Sequence, residues 1–325
     1  MKEKEENKDL EKFSLSATDK KRLEVKLSER LVLRNPCILA SGINDISVSL
    51  FKEAEKYFVG AITTKSCNLN GRQGYKNPTM VCRGKYFLNA IGLANPGAIK
   101  EAEKIRKAKK VLKIPIIASI FGADEKEFKE VTQIIDSAEP DAIEIDLSCP
   151  HAGNINLFEE LEELRKILSA VINNTNLPVF AKISPAMTIS RLHKVVRIIS
   201  DENLSGITAI NTMPAMLIDI NAMCPILSNK VGGLSGYCLK PIALRYVYEI
   251  RKINRDIKII GTGGISNSSD AIEMLLAGAN ALGIGTITYK GFDVFEKINR
   301  GILTYMKKKR FKSISEIRME SKWFE

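Results

Sequence analysis

A short polar stretch near the middle of the chain carries residue types suited to acid–base chemistry. An apolar run ends there in Asp146-Leu147-Ser148-Cys149-Pro150-His151. Catalytic side chains of parallel α/β folds follow the carboxyl ends of strands, and Cys149 stands at such a position. An accessible thiol with a tuned pKa acts as a base or a nucleophile, whereas a buried thiol is an inert packing residue. We predict that Cys149 is the catalytic residue.

Glycine clusters in the last third of the chain are typical of phosphate binding. They read Gly261-Thr262-Gly263-Gly264 and Gly283-Ile284-Gly285-Thr286. In many barrels the loops after the seventh and eighth strands hold a phosphate with backbone N–H groups, and glycine leaves room for the anion. The clusters predict a phosphate cradle, with two tight turns as the alternative. A third cluster, Gly232-Gly233-Leu234-Ser235-Gly236, either adds N–H donors or is a flexible hinge.

Two lysines stand at the ends of apolar runs. Lys65 follows Ile62-Thr63-Thr64, and Lys182 follows Phe180-Ala181. A lysine cannot face the packed interior of a barrel without a partner. Each lysine therefore either points into the mouth, where it stabilises an anionic ring or developing negative charge, or forms a salt bridge to a carboxylate such as Glu144 or Asp146.

Apolar runs alternate with amphipathic stretches along most of the chain. The predicted strands are continuous apolar runs, as expected for strands covered on both faces: 38–42, 61–65, 115–120, 142–148, 179–184, 206–212, 257–261 and 281–285. The predicted helices are 124–137, 157–171, 187–199, 239–253, 269–277 and 294–306. This alternation predicts an α/β protein with a single (β/α)8 TIM barrel, and a doubly wound sheet is the alternative.

Two long stretches interrupt the alternation, and both follow predicted strands. Residues 67–96 contain glycine and proline together with apolar side chains, which favours an ordered loop over disorder. Residues 213–237 are expected to fold over the same mouth. Residues 1–22 are polar and mixed in charge, so we expect a flexible N-terminal extension before a single barrel domain at 23–325.

Composition narrows the classes of protein that fit. The formal net charge is +11, but lysine and arginine are interspersed with acidic residues, which favours a solvated surface over a nucleic-acid site. Six cysteines without CxxC spacing and two histidines predict reduced thiols and no metal site. No secretory signal or run long enough to span a membrane occurs. We expect a cytoplasmic protein.

At this point several motifs together resemble a known family. Asn89-Ala90-Ile91-Gly92-Leu93-Ala94-Asn95-Pro96-Gly97 is similar to the substrate loop of class 1 dihydroorotate dehydrogenases, and Leu147-Ser148-Cys149-Pro150 resembles their active-loop cysteine motif. The run from Asn229 to Gly236, followed by Lys240-Pro241-Ile242-Ala243-Leu244-Arg245, is most similar to the class 1B catalytic subunit. The resemblance extends from about Val25 to about Ile317, with the motifs in the family's order.

The resemblance implies an FMN barrel that oxidises dihydroorotate to orotate in pyrimidine biosynthesis, with hydride transfer to flavin N5. It implies that Cys149 is the base. The implied substrate-binding residues are Lys65, Asn89, Gly92, Leu93, Asp146, His151, Asn211 and Thr212. The implied cofactor-binding residues are Ala40, Ser41, Gly42, Lys65, Lys182, Gly236, Gly263, Gly264, Gly285 and Thr286. Class 1B further implies an FAD and iron–sulfur subunit that passes electrons to NAD, within a homo-oligomer or hetero-oligomer.

Two positions depart from the family pattern. The family commonly has asparagine where this chain has Asp146, and often another asparagine where it has His151. An ionised carboxylate only accepts hydrogen bonds, whereas an amide also donates them. His151 resembles the residue in dihydropyrimidine dehydrogenase, so a dihydrouracil or dihydrothymine substrate is an alternative. Two further alternatives are a tRNA dihydrouridine synthase-like enzyme and a catalytically lapsed barrel that serves as a binding subunit.

Overall fold

The structure is a computed structural model that describes residues 15–43, 47–84, 86–147 and 160–319. Its centre is a closed barrel of parallel strands, in which neighbours along the chain are also neighbours in space. The barrel strands are β3 (Cys37–Leu39), β4 (Ala61–Thr63), β7 (Ile116–Ile120), β8 (Ala142–Asp146), β9 (Val179–Ile183), β10 (Gly206–Ala209), β15 (Lys258–Thr262) and β16 (Ala281–Ile284). The predicted (β/α)8 barrel is confirmed, and the doubly wound alternative is wrong.

Each barrel strand is followed by a helix that packs on the outside of the barrel. These helices are α2 (Val48–Lys56), α3 (Ala98–Lys109), α4 (Glu125–Asp136), α5 (Leu161–Ile172), α6 (Ile189–Asp201), α7 (Lys240–Ile253), α8 (Ser268–Leu276) and α9 (Asp293–Lys309). Side chains of Asp124, Thr188 and Asn267 accept hydrogen bonds from the first turns of α4, α6 and α8, which fixes where those helices begin. The strands are buried on both faces because helices cover their outer side.

An antiparallel sheet of four strands stands at the carboxyl ends of the barrel strands. It consists of β5 (Met80–Arg83), β6 (Tyr86–Asn89), β11 (Met213–Met216) and β14 (Val231–Gly236), in the order β11-β14-β6-β5. Residues 67–96 and 213–237 supply its strands, so both stretches are ordered. The flexible hinge considered for the third glycine cluster is wrong, because those residues form β14. Leu88, Ala90 and Leu227 form a small core of their own.

A short hairpin, β12 (Ile218–Asp219) and β13 (Cys224–Pro225), extends from the stretch between β11 and β14. Its neighbouring residues Ile220 and Met223 are largely exposed.

The chain closes the opposite end of the barrel with elements from both ends of the described sequence. These elements are α1 (Ala17–Leu23), β1 (Val25–Lys26), β2 (Val32–Leu33) and α10 (Ser315–Met319). Ser16 caps α1, Leu23 is fully buried, and Lys307 of α9 lies 2.9 Å from Asp19. The flexible extension predicted for residues 1–22 is therefore corrected at its end, because α1 packs against α9 from Ala17 onward. Residues 1–14 lie outside the described ranges.

Candidate active site

Lys182 lies at the mouth of the barrel between two carboxylates. Its Nζ is 3.9 Å from Glu144 Oε1 and 3.8 Å from Asp146 Oδ2, and all three residues are at least 90% buried. Asp146 on β8 pairs in register with Lys182 on β9, so both side chains project from adjacent strands to the same side. The salt-bridge alternative is thus confirmed for Lys182. Asp146 has its negative charge balanced locally.

Small hydroxyl residues complete the environment of the two carboxylates. Ser66 Oγ donates to Asp146 Oδ2 at 3.1 Å and lies 2.9 Å from Ser119 Oγ. Ser119 Oγ is in turn 3.2 Å from Glu144 Oε1, and Thr208 Oγ1 donates to Glu144 Oε2 at 2.8 Å. Burial raises the pKa of Glu144, and the nearby lysine opposes that rise. The interior just below the mouth is a polar network rather than an apolar core.

Two of the predicted substrate residues, Asn211 and Thr212, extend this network toward the four-stranded antiparallel sheet β11-β14-β6-β5, which we call the covering sheet. Asn211 Nδ2 donates to Asp146 Oδ1 at 3.3 Å, and Asn211 Oδ1 accepts the backbone N–H of Thr212 at 2.7 Å. A Cβ on Gly233 of β14 would overlap the Thr212 side chain, so this strand lies directly against Thr212.

The covering sheet brings a third predicted substrate residue, Asn89, to the same place. Asn89 Nδ2 donates to the carbonyl oxygen of Gly233 at 3.2 Å. Asn89, Thr212 and Asn211 therefore line one side of the mouth.

Gly92 and Leu93 form a turn with two successive positive φ angles, 73° and 57°. The turn is held because Asn95 Nδ2 donates to the Leu93 carbonyl at 2.9 Å and Tyr75 N donates to the Ile91 carbonyl at 3.1 Å. A side chain on Gly92 would overlap Tyr75, so glycine is required at this position. This turn follows β6 and belongs to the same stretch as Asn89.

On the other side of the mouth, the loop after β3 meets the end of β4. Ala40 N donates to the Ile284 carbonyl at 3.0 Å, and Ser41 Oγ donates to the Thr64 carbonyl at 2.7 Å. Gly42 has φ 76°, and a Cβ there would stand 3.5 Å from Lys65 Nζ. The fold therefore places Ser41, Gly42 and Lys65 close together.

The glycines in the loops after β15 and β16 differ in how closely neighbouring residues pack against them. A Cβ on Gly264 would lie 2.6 Å from Lys240 N, and one on Gly263 would lie 2.8 Å from Ala243 Cβ. Close packing against α7, together with positive φ at both residues, demands glycine here. This requirement is separate from the predicted one, that a Cβ would block an anion. Among the described residues, a Cβ on Gly285 would meet only Ile43, at 3.8 Å, so they leave open space around Gly285.

Two hydroxyl oxygens near this end of the barrel are buried without a hydrogen-bond partner within the described ranges. They belong to Thr262, the last residue of β15, and Ser235 of β14. Thr262 faces the barrel interior, because its neighbour Gly261 faces Met274 of α8 instead. Ser235 lies two residues from Gly233 and so shares the strand face that meets Thr212. Buried hydroxyls are normally satisfied, so these two fit a polar ligand in the mouth.

Two residues of the predicted site, Cys149 and His151, lie outside the described residues. Their roles stay predictions. Sequence reasoning did not single out Ser66, Ser119, Ser235 or Thr262. Ser119 could have been found because it is a small polar residue within an apolar run, which indicates a polar position inside the barrel. Ser235 could have been found because it lies two residues after Gly233 and therefore on the same face of a strand.

The buried charged network, the amide side chains and the glycine loops all lie at the carboxyl ends of the barrel strands. Enzymes with a (β/α)8 barrel have their active sites at this face. The fold and the site together therefore indicate a barrel enzyme that acts on a polar small molecule. The dihydroorotate dehydrogenase family profile matches residues 22–306. The chain belongs to the dihydroorotate dehydrogenase family, whose members are flavin-dependent.

Curated relatives agree with this family. The chain is 42% identical over 287 residues to the "Dihydroorotate dehydrogenase B (NAD(+)), catalytic subunit" of Pyrococcus abyssi, covering 87% of this chain and 94% of the relative. Proteins with the same name from Methanocaldococcus jannaschii and Thermoplasma volcanium are 41% and 39% identical, covering 84% and 88% of this chain and 90% and 94% of the relatives. Within the described ranges, no helix is both long and apolar enough to cross a bilayer.

Proposed function

We propose that this chain is the catalytic subunit of a dihydroorotate dehydrogenase that uses FMN to oxidise dihydroorotate to orotate in pyrimidine biosynthesis. Family membership over residues 22–306 carries the proposal, because relatives with this name match along nearly their whole length. The two unpartnered hydroxyls, the open space at Gly285 and the loops after β15 and β16 support FMN, since the phosphate sites of barrels lie at these loops.

The amide side chains on one side of the mouth recognise the substrate by hydrogen bonding. Asn89 and Asn211 each offer a donor and an acceptor, which suits a ring with alternating N–H and C=O groups. Thr212 adds a hydroxyl beside Asn211. Backbone N–H groups at Gly92 and Leu93 are assigned to the substrate carboxylate.

The charges of the mouth suit an anionic substrate despite Asp146. Because Lys182 lies 3.8 Å from Asp146, the carboxylate is already paired and repels a second anion less. Lys65, beside Gly42 on the opposite side, adds positive charge at the rim. We assign Lys65 to stabilising negative charge on the bound ring system, and we assign Lys182 the same role in addition to its ion pair with Asp146.

Cys149 is proposed to remove the proton from the substrate carbon next to the one that loses hydride. Bound FMN supplies the hydride acceptor. His151 and Asp146 are assigned to holding the substrate beside Cys149. Enclosure of the mouth by the antiparallel sheet limits access of water to the reacting groups.

The proposal is tested by adding dihydroorotate to the purified yellow protein without oxygen and following the flavin absorbance. We expect the absorbance to bleach and the extracted flavin to be FMN. Dihydrouracil, which lacks the carboxylate, is the matched control and should bleach the flavin much more slowly. Bleaching with dihydrouracil alone would contradict the proposed substrate.

Cys149→Ala separates the chemical step from binding. Loss of a general base lowers the rate by about 10²–10⁴-fold, so turnover should fall by that factor while FMN stays bound. Cys82→Ala, at an exposed position on β5, is the control and should keep the wild-type rate. An unchanged rate in Cys149→Ala would exclude this thiol as the essential base.

The word "subunit" in the relatives' names supports a further part of the proposal, an electron-transfer partner for this chain. We assign that partner as an FAD and iron–sulfur subunit that passes electrons to NAD.

A further inference from the structure

The loop between β15 and α8 carries Gly263 and Gly264, and a buried carboxylate holds its far end. The backbone N–H of Ser266 donates to Asp270 Oδ2 at 2.9 Å. Asp270 lies in the first turn of α8 and is only 2% exposed. The Asp270 carboxylate therefore ties the glycine loop to the start of α8.

The other oxygen of the same carboxylate binds the first residue of the neighbouring helix. Lys240 Nζ lies 2.7 Å from Asp270 Oδ1, and the lysine side chain is 11% exposed. Burial tends to lower the pKa of Lys240, but hydrogen bonds to Asp270 and Glu273 outweigh it and raise that pKa, so the ammonium is charged at neutral pH. A charged, buried pair thus joins the starts of α7 and α8.

The start of α7 is also where the third glycine cluster ends. Gly236 is followed by the 3-10 turn Tyr237–Leu239 and then by Lys240. A Cβ on Gly264 would lie 2.6 Å from Lys240 N, so the loop after β15 packs directly on this turn. Any shift of α7 relative to α8 therefore changes the spacing between Gly236 and Gly264.

We propose that Lys240 and Asp270 are positioning residues that hold the two glycine segments at the spacing needed to bind the phosphate of the flavin. This inference rests on the proposed function, because it assumes that FMN is the ligand. The Lys240 ammonium acts as a link rather than as a phosphate ligand, since carboxylates at 2.7 Å and 2.9 Å already hold it. The phosphate is bound by the glycine segments that the link positions.

A comparison of FMN with riboflavin tests the inference, because riboflavin has the same ring system and lacks the phosphate. Dissociation constants of both are measured on flavin-free protein by flavin fluorescence. Wild-type protein should prefer FMN. Asp270→Asn keeps an acceptor for Ser266 but removes the charge that binds Lys240, so the preference for FMN should fall about tenfold.

Glu273→Gln is the matched control. Glu273 binds the same ammonium at 2.9 Å, but its side chain is 47% exposed and it lies one helical turn beyond Asp270. The preference for FMN should stay within about twofold of wild type, because exposed ion pairs contribute little. A general loss of structure would weaken FMN and riboflavin alike and leave their ratio unchanged.

An unchanged ratio of riboflavin to FMN dissociation constants in Asp270→Asn, with a clear preference in wild type, would overturn the inference. If Asp270→Asn does not fold, Lys240→Gln tests the same contact with the same expected fall, and an unchanged ratio again overturns it. Wild-type protein that binds neither flavin would instead contradict the proposed function itself.

Discussion

The polar network around Lys182 explains how an aspartate can stand where the family commonly has asparagine. Ser66 and Asn211 donate to Asp146, and Lys182 supplies the opposite charge. A buried charge that is paired and hydrogen-bonded avoids most of the desolvation cost. The second carboxylate, Glu144, shares the same lysine at 3.9 Å, so the site holds more acidic groups than Lys182 alone can balance.

Hydrogen-bond counting indicates where the extra negative charge is removed. A hydroxyl carries one proton, so Ser66 and Ser119 cannot both donate to the carboxylates and also to each other across 2.9 Å. A proton on Glu144 resolves this, because Glu144 then donates to Ser119, Ser119 to Ser66, and Ser66 to Asp146. We therefore assign the charged partner of Lys182 as Asp146 and the neutral one as Glu144.

This assignment predicts a pH dependence of stability. Burial first, and then Asp146, raise the pKa of Glu144 above its ordinary 4.5, against the effects of Lys182, Thr208 and Ser119. The Glu144 carboxyl loses its proton at lower pH in the unfolded chain than in the folded protein. The free energy of unfolding therefore falls as the pH rises from about 4.5 through the folded pKa. Glu144→Gln cannot ionise and escapes that loss.

In urea unfolding at several pH values, the free energy of unfolding of Glu144→Gln relative to wild type should therefore rise with pH. The slope is at most about 1.4 kcal/mol per pH unit. Glu29→Gln, whose side chain is 89% exposed, controls for the loss of one negative charge elsewhere. A difference that stays flat as the pH rises above about 4.5 would show that Glu144 is ionised in the native protein.

At the scale of elements, the barrel strands are predictable because each has an apolar signal of its own. The prediction 142–148 contains β8 (Ala142–Asp146), and 179–184 contains β9 (Val179–Ile183). Helices covering the outer face and side chains filling the inner face make both faces apolar, so the signal is continuous. Strand ends are less predictable, because polar mouth residues such as Lys65 look like part of the run.

The covering sheet could not be predicted in the same way. β14 reads Val231-Gly232-Gly233-Leu234-Ser235-Gly236, and glycine normally disfavours a strand. It forms because its register places Gly233 opposite Asn89 and Gly232 where a Cβ would be 2.5 Å from the Asn89 carbonyl oxygen. Such contacts between distant stretches leave no local pattern. The same applies to the link between Lys240 and Asp270, which are thirty residues apart.

Gly233→Ala tests whether the covering sheet positions the proposed substrate-binding residues. The new methyl group would overlap Thr212, so either β14 or Thr212 must shift. Misplacement of a binding residue by about 1 Å costs up to about 10²-fold in rate. We expect kcat/KM for dihydroorotate to fall about tenfold or more, with little change in the dissociation constant of FMN.

Gly84→Ala is the control for this sheet. Gly84 has φ 63° and belongs to the turn between β5 and β6, where a Cβ would meet nothing within 4 Å among the described residues. Backbone strain of about 1 kcal/mol is expected there, without a change in kcat/KM. Equal kcat/KM values for Gly233→Ala and wild type would mean that the close contact with Thr212 is not needed for substrate binding.

For the molecule as a whole, elements near the two ends of the described sequence, including α1 and α10, close one end of the barrel, and the candidate site lies at the other end. Asp19 and Lys307 join α1 to α9, and the Ile314 N–H donates to the Arg22 carbonyl at 3.0 Å. The lysine hydrogen bond is the main cause that lowers the pKa of Asp19. These contacts lie at the end of the barrel away from the candidate site, so they stabilise the fold without contacting the proposed catalytic and binding residues.

The whole chain must also pass on the electrons that it takes from dihydroorotate. Its sequence has neither a dinucleotide-binding fingerprint nor the cysteine spacing of an iron–sulfur cluster. The isolated, FMN-loaded chain should therefore oxidise dihydroorotate with an artificial dye as acceptor and show at least about a hundredfold lower rate with NAD. Parallel assays of dye reduction and NADH formation measure this, and dye reduction controls for an intact site. Rapid NADH formation by the isolated chain would contradict the proposed electron-transfer subunit.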